Sequence, residues 1–95
     1  MTLDQFTASL TQGQPPTGIH PILVALWHDA TGQWEPAHTI AQSREGEQSY
    51  DRLHAYLHRK EGDRFNANYW YRRAGTPFFA GSLDDEWAAL VQAQL

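Results

Sequence analysis

Two stretches thirty positions apart, ALWHDATGQWEPA (25–37) and AYLHRKEGDRFNA (55–67), set Ala25, His28, Gly32 and Ala37 against Ala55, His58, Gly62 and Ala67. A helix that must stop and turn back favours glycine just past its end, where a left-handed backbone carries no Cβ penalty. The returning helix favours a small residue where it crosses close to the first. Gly32 with Ala37 and Gly62 with Ala67 supply both at the same offset of five. The pattern predicts two antiparallel helical hairpins, over about residues 20–43 and 49–75.

Local signals place further helices around them. Thr2 and Gln5 have the spacing of a capping box, and Leu3, Phe6 and Leu10 follow at helical intervals. The run GQPPTGIHP forbids continuation, and Pro21 can open the next helix at its first position, with Ile22, Leu23, Leu26 and Ala30 as its apolar stripe. Trp34 to Ser43 carries Ala37, Ile40 and Ala41 on one face. After the polar SREGEQ loop, Ser49 is the expected cap of a helix running to about Glu61, with Tyr50, Leu53 and Leu57 inward. Asp63 can cap the following helix, where Ala67, Trp70, Tyr71 and Ala74 share a face, and Ser82 with Asp85 can start the last one. No strand period competes. An all-α array of about six helices in one domain over residues 1–95 is the expected fold.

The arrangement of glycine, small residue and aromatics over residues 20–75 resembles tetratricopeptide-type repeats, although the spacing is thirty rather than the usual thirty-four and Arg64 stands where the first unit has Trp34. That resemblance implies stacked helix pairs with a shared core, the terminal helices acting as caps, and an exposed binding surface. The longer strings ALWHDATGQWEPAHTIAQ and HAYLHRKEGDRFNANYWYRRAG resemble an uncharacterised group of small bacterial proteins. This second likeness implies a soluble bacterial protein and carries no activity with it.

Charge narrows the partners. All seven Lys and Arg residues lie between Arg44 and Arg73, whereas both ends are acidic and the net charge is −4. A domain that grips nucleic-acid phosphates is normally basic overall, so nucleic acid is not the expected partner. There is no leader-like segment and no apolar run long enough to cross a bilayer, and a cytoplasmic protein without a membrane partner is expected. With no cysteine, any metal must rest on imidazole and carboxylate groups.

Two constellations could carry chemistry. His54, His58 and Glu61 stand at i, i+4 and i+7 on one helix, a spacing that can chelate zinc or iron, with His28 or His38 completing the shell. The order is not HExxH, so protease-type zinc chemistry is not indicated. The structural alternative has His28 and His58 serving helix carboxyl ends, while His38 and His54 are buried polar rings satisfied by partners such as Asn66, Tyr69 or Glu61. The second constellation is NANYWYRR, where Asn66, Tyr69 and Arg73 share a face and Arg59, Lys60, Arg64 and Arg72 are near. Guanidinium and aromatic groups together suit an anionic partner; the alternative is that these arginines pair with Asp84, Asp85 and Glu86.

Three functions follow. The first is a helical interaction module binding an anionic peptide, protein segment or small ligand through Asn66, Tyr69, Arg73 and Arg59 with His54 and His38 alongside, and self-associating into a homo-oligomer. The second is a histidine-based metal-dependent or acid–base enzyme acting on a small molecule, with Glu61 as ligand or base. The third is a structural, chaperone-like partner. No nucleophile elbow or glycine-rich phosphate cradle is present.

Overall fold

A computed structural model describes residues 1–95. Its elements are α1 (Leu3–Ala8, continued by a 3₁₀ turn over Ser9–Thr11), α2 (Pro21–Ala30), α3 (Trp34–Gln42), α4 (Gln48–Lys60), α5 (Arg64–Ala74) and α6 (Leu83–Gln92). The fold is all-α, with no strand, and no helix is long and apolar enough to cross a membrane.

Side-chain caps set several of the starts. Thr2 and Gln5 form the reciprocal capping box, at 3.1 and 2.9 Å. The backbone N–H of Asn66 donates to Asp63, and that of Asp85 donates to Ser82 Oγ. Pro21 takes the first position of α2, and His20 Nδ1 accepts from the Ile22 N–H. The start of α4 differs from expectation. It begins at Gln48 with Glu47 preceding it, and Ser49 lies inside the first turn. The buried Asp51 carboxylate reaches back to the Gly46 N–H at 3.1 Å, so the entry to α4 is tied down from within the helix.

The repeated glycines close the two hairpins identically. At φ +83° and +87°, Gly32 and Gly62 let the Gln33 and Asp63 N–H groups donate to the carbonyls of His28 and His58, while the glycine N–H groups donate to those of Asp29 and Arg59. This is a Schellman closure, and His28 and His58 occupy equivalent positions in it, although the bonds use only their main-chain carbonyls. Ala37 and Ala67 are fully buried, where α3 and α5 run back along their partner helices.

The larger apolar cluster joins α2, α3 and α4 through residues such as Leu26, Leu53 and Leu57, and Phe6 of α1 with Leu90 and Val91 of α6 closes it. A smaller cluster of Ala55, Ala67, Trp70 and Tyr71 fixes α5 to α4, with Phe78 and Phe79 packed against it. Three tryptophans link elements through their indole N–H groups: Trp27 donates to Ser9 O, Trp34 to Leu57 O and Trp87 to Leu26 O. Glu86 of α6 is entirely buried. It accepts from Arg59 Nη1 at 2.7 Å and from the Tyr71 hydroxyl, and lies 2.6 Å from Arg52 Nη1 in a charge contact without aligned hydrogen-bond geometry.

Candidate functional site

Helix α4 presents His54 and His58 one turn apart, with ring centroids 4.9 Å from each other and planes 23° apart. Helix α3 lays His38 across this pair, its ring 4.8 Å from His54 and 5.1 Å from His58. One ring nitrogen from each of the three histidines lies within 4.8 Å of the others, and His38 Nε2 meets His54 Nε2 at 3.0 Å. Two indoles wall the cluster. Trp34, one turn before His38, stacks on it at 4.6 Å, and Trp70 of α5 stacks on His54 at 3.8 Å.

The outer nitrogens determine what the inner ones can do. Glu61 Oε1 sits 2.6 Å from His58 Nδ1, so the carboxylate holds a proton on that nitrogen, and Nε2 is the atom that offers a lone pair when the ring is neutral. At His38, Nδ1 faces the Gln42 amide nitrogen at 2.8 Å and therefore accepts, which assigns the proton to His38 Nε2 and makes it the donor to His54 Nε2. His54 must then carry its proton on Nδ1, and that buried atom has no partner. The chain of hydrogen bonds thus ends in an orphan, an arrangement that costs free energy. Turning the Gln42 amide through half a rotation lets its oxygen accept from His38 Nδ1–H. His54 Nε2–H then donates to His38 Nε2 at 3.0 Å, and the unpartnered His54 Nδ1 is left as a bare acceptor rather than an orphaned donor.

Two of the three rings are held toward the neutral form. Burial, followed by the neighbouring His38 and His58, pushes the His54 pKa down to about 3. His38 is lowered by burial and then by His58. Uncharged imidazole is the form that ligates metal, so binding at His38 and His54 requires little proton displacement.

The structure places each residue singled out from the sequence. His54 and His58 come together as expected, but the third imidazole of the group is His38. Glu61 stands behind His58; it also lies within 4.8 Å of Asp63, a helix cap already engaged by Asn66. His58 lies in the last turn of α4 as expected, but its Nδ1 is held by Glu61 rather than by main-chain carbonyls. His28 packs edge-on against Trp27 and does not join the three. The polar partners of His38 and His54 are each other and Gln42, not Asn66 or Tyr69. Arg59 is bound to Glu86 and to Gly81 O at 2.6 Å, so the expected alternative of pairing with the last helix holds for it, at Glu86. Asn66 turns to Asp63 at 2.7 Å. Tyr69 and Arg73 remain exposed, with the Arg73 guanidinium 5.1 Å from the Trp70 ring centre. The walls Trp34 and Trp70 and the orienting Gln42 were not anticipated; the i, i+4 spacings of Trp34, His38 and Gln42 on one helix face were the available signal.

A scan against protein-family models gives no match, and searches of the curated proteins and of the solved structures give none.

Proposed function

We propose that this protein binds a divalent transition metal, zinc foremost, through His38, His54 and His58, with one position on the metal left for an exchangeable ligand. The observation that carries this reading is the convergence of three histidine ring nitrogens within 4.8 Å, one pair already at 3.0 Å. Zinc bound by imidazole has metal–nitrogen distances of about 2.1 Å, so small side-chain rotations suffice to close the set. Glu61 behind His58 supports the reading, because a carboxylate on the outer nitrogen orients a ligating histidine and raises its basicity. Three protein ligands and an open position are the form of a reactive site rather than of a purely structural one. Such a site activates water or polarises a carbonyl or phosphoryl oxygen of a small molecule.

The test uses protein purified without a histidine tag, stripped with chelator and titrated with zinc. One zinc per chain is expected, and at free zinc about a hundredfold above Kd the stabilisation is about 2.7 kcal/mol, a rise in Tm of roughly 10–20 °C. His38→Gln and His54→Gln each abolish the rise. Substoichiometric zinc with an unchanged Tm overturns the reading.

A second reading, capture of an anionic peptide or protein segment, is favoured by the outer face of α5. Phe65 is 84% and Tyr69 47% exposed at one-turn spacing, beside Arg73, which has no carboxylate partner. Under this reading a polyglutamate peptide binds the protein in fluorescence anisotropy and Arg73→Glu abolishes that binding with Tm unchanged; absence of binding to the wild type removes it.

A further inference from the structure

A cavity of about 420 Å³ opens between α1, the carboxyl ends of α2 and α4, and α6, and it shares no lining residue with the histidine cluster. Leu3 and Leu10 form one wall, Trp87 and Ala88 the other, and Asp84 lies on the lining. Its volume falls in the range of small-molecule sites, which combine apolar walls with a few placed polar groups.

The buried carboxylate of Asp29 provides that polar group. Oδ2 accepts from the Tyr56 hydroxyl at 2.7 Å, and Oδ1 meets Lys60 Nζ at 2.9 Å. Burial and the adjacent Asp29 raise the Tyr56 phenol well above its ordinary pKa, so it stays a neutral donor. Lys60 is a different kind of partner: its side chain is 38% exposed and reaches in from solvent on a flexible stem. An ammonium is thus what the Asp29 carboxylate takes when one is within reach. The formal charges on the lining favour the same sign. Helices α2 and α4 end at the cavity, at Ala30 and Lys60, while α1 and α6 begin there, at Leu3 and beside Asp84, so the helix dipoles offset one another. Two carboxylates, Asp29 and Asp84, stand against a single lysine on the lining.

From the buried Asp29 carboxylate, the apolar walls and the excess of carboxylates on the lining, we infer that the cavity binds a small primary amine with a short alkyl or aryl body. The ligand ammonium replaces Lys60 Nζ on Asp29, and the apolar part lies between Leu3 and Leu10 on one side and Trp87 on the other. Lys60 acts as a tethered competitor that keeps the carboxylate neutralised until an amine arrives. A carboxylate ligand directed to Lys60 would instead meet Asp29 and Asp84.

The test pairs phenethylamine with phenylacetate, two probes of similar shape and opposite charge, followed by amide resonances of Thr7, Ala30 and Ala88 and by calorimetry. Phenethylamine is expected to shift these resonances in the wild type and phenylacetate to leave them unmoved. Lys60→Met removes the competitor and tightens amine binding by about tenfold. Ala88→Leu fills the cavity and abolishes it with helicity retained. The inference is overturned if phenylacetate binds the wild type as well as the amine does, if Lys60→Met weakens amine binding, or if millimolar phenethylamine leaves the wild-type resonances unmoved. The decisive comparison of the two probes is made on the wild type, so it stands even if a variant fails to fold.

Discussion

Replacing Glu86 by glutamine tests how the second hairpin is joined to the last helix. The carboxylate is fully buried and faces Arg52, Arg59 and the Tyr71 hydroxyl, and the two arginine side chains are themselves only 13% and 19% exposed. Glutamine keeps the shape but removes the charge and turns an amide –NH2 toward donors. Two largely desolvated guanidinium groups are then left without an anion. Removing one partner of a buried charge network costs about 3–5 kcal/mol, against a total stability of roughly 5–14 kcal/mol for a domain of this size. The Tm of Glu86→Gln is expected to fall by at least about 12 °C, and the urea midpoint by about 2 M. Circular dichroism during urea titration measures both the midpoint and its slope. A companion pair locates the effect: Arg59→Glu sets a second carboxylate against Glu86 and prevents folding, whereas Arg73→Glu leaves the transition in place. A loss below about 1 kcal/mol in Glu86→Gln, the range of one ordinary hydrogen bond, would refute the reasoning. So would an Arg59→Glu protein as stable as the wild type, which would return Arg59 to the surface as a recognition residue.

Acid sensitivity is a second expectation for the metal-stripped protein. His54 has a folded pKa near 3 against an ordinary 6.5, so the unfolded chain takes up a proton that the folded chain refuses; its contribution is complete above about pH 6.5 and declines as the pH falls toward 3. At pH 5 the loss from His54 is about 2 kcal/mol, measurable as the difference in urea midpoint between pH 7.5 and 5, and His54→Gln removes that part; equal pH slopes in the two proteins would contradict it. Gly62→Ala meets no atom within 4 Å, so only the left-handed backbone at φ +87° resists it, and a loss of about 1–2 kcal/mol is expected by thermal melting. Ala67→Leu should cost about 1–3 kcal/mol by overpacking, because the site is fully buried; a neutral result there would show that α4 and α5 are not tightly apposed.

The features that could be read from the sequence are those settled within a few residues. Thr2 with Gln5, Asp63, and Ser82 with Asp85 satisfy helix N–H groups three positions away, and Gly32 and Gly62 close their hairpins through bonds that span five residues or fewer. The cap of α4 was misplaced at Ser49 because Asp51 bonds backward from inside the helix, a choice that depends on how the preceding loop folds over it. In the candidate site, the i, i+4 relation of His54 and His58 needed only one helix. Whether His28 or His38 joined them depended on how α3 crosses α4, which residue spacing does not specify. The same holds for Arg59, whose bond to Glu86 spans 27 positions, and for Lys60, which meets Asp29 across 31. Those pairings arise only after the helices dock.

The tryptophan links described above divide the chain's fluorophores into two kinds. Trp27 and Trp87 are pinned to the main chain of another element and touch none of the three clustered imidazoles, so their emission should report loss of the whole assembly at once; Trp34 is pinned to Leu57 O but also stacks on His38 and responds to both. Trp70 makes no such bond and instead lies flat against His54. Its light is therefore an optical gauge of the imidazole beneath it, and a variant retaining Trp70 alone would let protonation or metal capture be watched in real time without a label.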